Sequence, residues 1–339
     1  MPESVMDQIV QELKRTGASH YPSRGELKAV RVVGHTPKAD HYIYDIVIDF
    51  ADGSDRLAVK VYRAGKCGVQ GVKNVARVET ENLHMVYDVF EKRRLSGVPR
   101  PLGDFTELGA VVTEKIAGLP LQSIIMKAAL LPGYADHGCL QVAARQTGLW
   151  LCNFHRSTAG LPEPFDPNEL LAELEKLCAS CKGEGLDDEA IGTILTGTRA
   201  ILGRSKKMLP ASAVLNDFTP LNVIVTEEGI GISDYAHMTA QGNSFQDVAQ
   251  FMASVEALEK YPFCNRNITS QVQDEFLQAY GVNEMEEAIL RVFKMKALLG
   301  MFAQGRNVKE SAVRKKVMWA TVMKRFIQQA AQRSMAPAA

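Results

Sequence analysis

Five positions carry residue types that could do chemistry together. Lys60 sits inside the apolar run Ala58-Val59-Lys60-Val61-Tyr62. The period of a β-strand turns its side chain to the face opposite Val59 and Val61, so its ammonium needs an anion there. Glu79, in the helical pattern VETENL, follows the apolar Val78 and precedes Leu83 by four, which puts it at the edge of a buried stripe within reach of a strand lysine. Glu81 competes for that place, two residues farther round the helix and better solvated. Later in the chain, Asp217 and Asn222 bracket Phe218-Thr219-Pro220-Leu221 just before the run Val223-Ile224-Val225-Thr226. After a turn, a second run ends in Ile232-Ser233-Asp234. Two carboxylates and an amide at the ends of paired strands offer hard oxygen donors suited to Mg2+ with phosphate oxygens as its other partners. A lysine–glutamate pair to hold phosphates, metal ligands and a carboxylate to position a hydroxyl are the parts of phosphoryl transfer.

Each part has a plainer explanation by itself. Lys60 could snorkel from an edge strand, and Asp, Asn and Pro crowd turns for conformational reasons. The spacing of five from Asp217 to Asn222, followed by strand, turn and Asp234, is what favours a site. Asp247 could simply cap a helix.

The positioning elements follow from period and punctuation. Val5, Ile9, Val10 and Leu13 give a short amphipathic helix closed by Gly17. The runs LKAVRVVG, HYIYDIVIDF and RLAVKVYR, with a turn at Asp52-Gly53, predict three consecutive antiparallel strands. A helix is predicted from about Val72 to Arg94, then another strand in GAVVTEKIAG. Beyond Leu121 helical patterns dominate, interrupted by the hairpin LNVIVTE and GIGISDY. The expected fold class is α+β: a nucleotide-binding lobe over 1–115, with antiparallel strands and one helix, and a mainly helical lobe over 116–335.

The 339 residues carry 39 basic and 39 acidic side chains, so bulk charge gives no argument for nucleic acid as a partner. No stretch has the roughly 18 to 20 apolar residues of a membrane helix, and the N-terminal residues lack the pattern of a signal peptide, so a cytoplasmic location with reduced cysteines is expected. Cys178 and Cys181, with Cys152 and His155, have spacings that could supply four zinc ligands, but both pairs fall in helical patterns where such residues fill cores. Between 309 and 339, seven basic residues (309, 314, 315, 316, 324, 325, 333) accompany one acid, with Val313, Val317, Trp319 and Phe326 interspersed. That segment either packs as a terminal helix or meets an anionic lipid surface.

Taken in order, these segments resemble the aminoglycoside phosphotransferase and choline kinase-like group, small-molecule kinases with a protein-kinase-like bilobal fold. AVKVYR looks like the strand of the phosphate-binding lysine, VETENL its glutamate helix, VPRPLGDFTELGAVVTEKIAGLPL the strand and hinge, NDFTPLNVIV the catalytic loop, ISDYAHM the metal-binding segment and FQDVAQF the helix after it. The resemblance spans about residues 28 to 260. It implies ATP and Mg2+ as cofactors, with Lys60 on the α and β phosphates and Glu79 anchoring Lys60. Backbone groups of Thr113, Glu114, Lys115 and Ile116 would meet adenine. Asp217 would accept or orient the substrate hydroxyl, Asn222 and Asp234 would bind Mg2+, and Asp247 would brace the loop. Two departures stand out. Leu215-Asn216-Asp217 replaces the family's His-Gly-Asp, and the phosphate-covering loop, Gly34 to Asp40, has one glycine, so its grip would rest on Lys38, His35 or backbone amides.

Only twelve residues separate Asp234 from Asp247, too few for a peptide platform, so the expected acceptor is a small hydroxylated metabolite such as a sugar or aminoglycoside. Nine acids against two lysines over 163–190 suit a cationic acceptor or a solvated surface. The different class of function is a nucleotide-binding pseudokinase or scaffold, suggested by the missing histidine and the poor glycine loop.

Overall fold

The computed structural model describes residues 4–65, 68–131, 137–183, 185–204, 208–261, 263–305 and 319–335. They divide into two compact units, Met1–Gly118 with Gly231–Met238, and Leu119–Ile230 with Thr239–Ala339.

In the first unit, α1 (Val5–His20) opens with a capping box in which Ser4 Oγ accepts from the Asp7 amide and Asp7 accepts from the Ser4 amide. Strands β1 (Leu27–Pro37), β2 (His41–Phe50), β3 (Gly53–Tyr62) and β4 (Ala110–Glu114) form one antiparallel sheet in the order β1-β2-β3-β4. Alternation sorts its faces. Ile46, Ile48, Phe50, Leu57, Val59 and Val61 are buried with Ile9 and Leu13 of α1. Opposed residues share a face, so Ile43 and Lys60, and His41 and Tyr62, stand together on the other side. Helix α2 (Gly68–Arg93) buries Ala76, Glu79, Leu83, Val86 and Phe90 at helical spacing. Gly109 has φ 66°, and a Cβ there would lie 2.3 Å from Val72 Cγ1, so α2 comes this close only over glycine.

Two expectations are corrected here. Gly34 to Asp40 does not form an open loop: Gly34 to Pro37 continue β1, paired with Asp45 to Tyr42, and only Lys38–Asp40 turn, with the Lys38 amide donating to His41 O at 2.9 Å. The register shifts between Val32 and Gly34, and pairing with β2 then resumes from Gly34 onward. The first unit ends at Gly118, not at 115, and takes in residues 231–238, because Ile232 N donates to Gly97 O and the Asn82 amide holds the carbonyls of Tyr235 and Met238.

In the second unit, β5 (Leu119–Pro120) leads into α3 (Leu121–Leu130), α4 (His137–Ser157), β6 (Glu163–Pro164), α5 (Pro167–Gly183) and α6 (Asp188–Leu202). The short strands β7 (Met208–Leu209), β8 (Ala211–Val214), β9 (Val223–Val225), β10 (Ile230–Ile232, whose last two residues count with the first unit) and β11 (Thr239–Asn243) precede helices α7 (Phe245–Glu256), α8 (Arg266–Tyr280), α9 (Glu284–Gly305) and α10 (Lys324–Met335). Strand β8 pairs with β11, a pairing the alternation rule missed because both strands are short and β11 is polar. Helix α4 packs on α8 through Gly148, whose added Cβ would sit 2.3 Å from Phe276 O.

Residues 309, 313, 314, 315, 316 and 317 of the basic segment lie outside the described residues. Of the remainder, Arg333 pairs with Glu256 and Glu259. Among the described residues no helix is long and apolar enough to cross a membrane.

Replacing Gly148 with alanine must push α4 off the α8 backbone, a strain of about 1 to 3 kcal/mol. At about 2 to 4 °C per kcal/mol for a unit of this size, Gly148→Ala is expected to lower Tm by several degrees, read by thermal denaturation. An unchanged Tm contradicts the close packing.

Candidate active site

Three of the sequence-derived positions meet inside the first unit. Lys60 Nζ lies 3.0 Å from Glu79 Oε1 and 3.0 Å from Asp234 Oδ1, with side chains 12%, 4% and 21% exposed. Glu81 points to solvent and pairs with Arg77 instead. Burial opposes the Lys60 charge, yet Glu79 and Asp234 outweigh it and hold the ammonium above the usual lysine range. Burial likewise works against Asp234, but Lys60 and the Ala236 amide, 3.0 Å from Oδ1, keep its carboxyl below the ordinary value. At Glu79 burial prevails and pushes the carboxyl up.

Sequence reasoning missed the groups that hold this triad. Tyr62, two residues from Lys60 on the same face, donates its hydroxyl to Glu79 Oε2. Glu79 Oε1 also accepts from the Tyr235 amide at 3.5 Å, while Asn82 Nδ2 donates to Tyr235 O at 3.0 Å and Met238 O at 3.1 Å. Glu79 and Asn82, three apart on α2, therefore hold both backbone groups of the residue after Asp234. The Tyr235 ring is buried, and its hydroxyl has no hydrogen-bond partner among the described residues. The i, i+3 spacing of Glu79 and Asn82 was a usable signal.

Thr113 and Glu114 belong to β4, opposite Ala58 and Leu57. The Glu114 amide donates to Arg100 O and the Lys115 amide to Arg56 O, each at 2.9 Å. Those two amides serve the strand network, which narrows the backbone groups of 113–116 that a base could use. Ile116 packs against Gly231. Lys115 Nζ meets Asp45 Oδ2 at 2.5 Å.

Asp217 and Asn222 meet within the second unit. Asn222 Nδ2 donates to Asp217 O and Asp217 Oδ2, both at 3.0 Å. Three devices fix their loop. Asn216 adopts φ 61°, a left-handed conformation that asparagine tolerates better than most side chains. Asp247 at the start of α7 accepts from the Leu215 amide at 2.8 Å and the Asn216 amide at 2.9 Å. Phe218, fully buried, stacks on Trp150 at 6.2 Å and tilts against Phe251 at 5.7 Å. His155 of α4, 5% exposed, bonds Asp247 through Nε2 at 3.2 Å and Tyr280 OH through Nδ1 at 2.8 Å. The loop at Leu215 thus has a histidine behind it, supplied from α4 through Asp247. His155 is accordingly a brace and no zinc ligand, and the described residues hold no group of three His, Cys, Asp or Glu able to take a metal. Cys178 and Cys181 are core residues of α5, and burial pushes the Cys178 thiol up to about 11.

Of the acidic stretch, Glu173 pairs with Lys296, Glu175 with Arg199 and Asp188 with Lys182. Glu163, Asp166 and Glu169 line a cavity of about 250 Å³ with Phe165 and Phe293. Gly242 and Asn243 also line it, so it lies at the Ala211–Asn243 end of the β8–β11 ladder, roughly 10 Å along the strand from the Val214–Thr239 end where the Asp217 loop begins.

Two outcomes are expected from the clamp. Asn82→Leu removes both donors to the Tyr235 and Met238 carbonyls, so amide exchange across 232–238 should quicken by about ten-fold or more. Equal exchange would refute the clamp. Tyr235→Phe deletes an unpaired buried hydroxyl and should stabilise the protein by about 1 kcal/mol in denaturant unfolding, whereas destabilisation would reveal a partner for the hydroxyl.

No protein-family model matches the chain, and no curated protein matches it in sequence. Solved structures do match. A glucosamine kinase aligns over 93% of this chain and 97% of its own, with TM-score 0.55 and 14% identity. The choline kinase LicA from Streptococcus pneumoniae aligns over 95% and 99%, with TM-score 0.51 and 14% identity. A spectinomycin phosphotransferase in complex with ADP and spectinomycin aligns over 96% and 98%, with TM-score 0.52 and 12% identity. The chain has the fold of the aminoglycoside phosphotransferase and choline kinase-like group of small-molecule kinases.

Proposed function

We propose that the protein is an ATP- and Mg2+-dependent phosphotransferase that moves the γ-phosphate to a hydroxyl of a small polar metabolite, most consistent with a sugar or aminoglycoside-like acceptor. The observation that carries the reading is the buried lysine held between two carboxylates from distant parts of the chain, accompanied by a braced Asp217–Asn222 loop. Lys60 holds the α and β phosphates, and Glu79 fixes its ammonium. Backbone groups within Thr113–Ile116 receive the adenine. Asp217 accepts or orients the acceptor hydroxyl, and Asp247 with His155 keeps its loop in place.

The donor set fits Mg2+. Asn222 presents Nδ2 to Asp217, so the atom assigned to the cation is its carbonyl Oδ1. At Asp234 the bonds from Lys60 and Ala236 fall on Oδ1, so Oδ2 is the oxygen assigned to it. An amide oxygen and a carboxylate oxygen are hard donors of the kind Mg2+ takes alongside phosphate oxygens and water. Bound there, Mg2+ would neutralise charge on the phosphates.

A spectinomycin phosphotransferase of similar fold, solved in complex with ADP and spectinomycin, supports a nucleotide and a polar small molecule as ligands.

The test is phosphate transfer to a panel of hydroxylated metabolites with ATP and Mg2+. Asp217→Ala should lower kcat by about a hundred-fold or more while ATP binding survives. Wild-type rates in that variant, or no ATP binding by the wild type, would overturn the reading.

A further inference from the structure

The geometry points to His41, braced by Asp40, as a second phosphate ligand beside Lys60. This inference rests on the phosphotransferase reading and deepens it at the hairpin that has no glycine cluster to cradle phosphate.

The register makes the case. His41 is the first residue of β2 after the Lys38–Asp40 turn and lies opposite Tyr62, while Lys60 lies opposite Ile43. His41 and Lys60 are diagonal neighbours on one face, a relation that puts side chains about 7 to 8 Å apart. The ring lies edge-on to Tyr62 at 5.8 Å, and its side chain is 11% exposed. His35, the histidine expected to serve here, stacks on Tyr44 at 5.7 Å on the opposite face, where it cannot share a ligand with Lys60.

Charge makes the same case. The groups facing His41 are Asp40 on its own hairpin, Lys60 and Tyr62 from β3, and Asp234 from the 231–238 segment, with Glu79 of α2 behind Lys60. Two carboxylates thus hold the Lys60 ammonium and a third, Asp40, holds the imidazole, and a triphosphate adds further negative charge. A second cationic donor on this face offsets that repulsion. Asp40 Oδ1 lies 2.8 Å from His41 Nδ1, and a carboxylate can only accept, so Nδ1 carries a proton and the ring is oriented. Burial, with Lys60 next, holds the unliganded ring below the ordinary histidine range. An arriving phosphate reverses that balance, and Nε2–H of the imidazolium then donates to a phosphoryl oxygen.

The test is calorimetric titration of the full chain with Mg2+·ATP and, separately, adenosine. His41→Ala should weaken ATP by roughly ten- to a hundred-fold, the range of a hydrogen bond to a charged group, and leave adenosine unchanged. His41→Gln, which keeps a neutral donor, should recover part of the loss. Unchanged ATP affinity in the folded alanine variant, or equal losses for ATP and adenosine, would overturn the inference. ATP binding by the wild type keeps the underlying reading intact in either case, and its absence would overturn both.

Discussion

A largely buried ammonium is the constraint around which the first unit is organised. Lys60 cannot be withdrawn from water without anions in contact, and a single partner would leave donors of its ammonium unsatisfied. Glu79 comes from 19 residues away and Asp234 from 174. The strand, the helix and a late segment of the chain are therefore tied at one point, and each tie is itself held: Glu79 by Tyr62, Asp234 by the Ala236 amide, and the backbone beyond it by Asn82. The local arrangement depends on that charge being present, so hydrophobic replacement of Lys60 would leave the buried Glu79 and the partly exposed Asp234 without their shared cation.

The second unit solves a different problem, the placement of a loop whose dihedrals are unfavourable for most residues. Asp247 gathers two backbone amides and a histidine on one carboxylate, and Phe218 anchors the following residue in an aromatic stack. Asp217 is thus flanked on one side by hydrogen bonds and on the other by packing. The left-handed position of the loop is taken by Asn216, and His155 reaches the loop backbone through Asp247.

The sequence made some of this legible. Strand alternation placed Lys60 on the face away from Val59 and Val61, and helical spacing brought Glu79 forward over Glu81. Both are consequences of a period. What stayed hidden was long-range or unpatterned. Residues 231–238 read as the end of a hairpin, and nothing local says that Asn82 captures two of their carbonyls. His155 looked like a core residue because its partners are 92 and 125 positions away. The hairpin at 34–40 was misjudged because one glycine suggested an open loop where the strand resumes its pairing after a register shift.

Residues 231–238 return to a unit whose other residues lie before 119. On a ribosome the chain emerges from its N-terminus, so the small unit can assemble its sheet and α1 early but lacks the second anion for Lys60 until about half the large unit has been made. Until then the lysine has only Glu79. A fragment cut after residue 118 would preserve that incomplete state permanently, and the two units are in this sense not separable by a single cut.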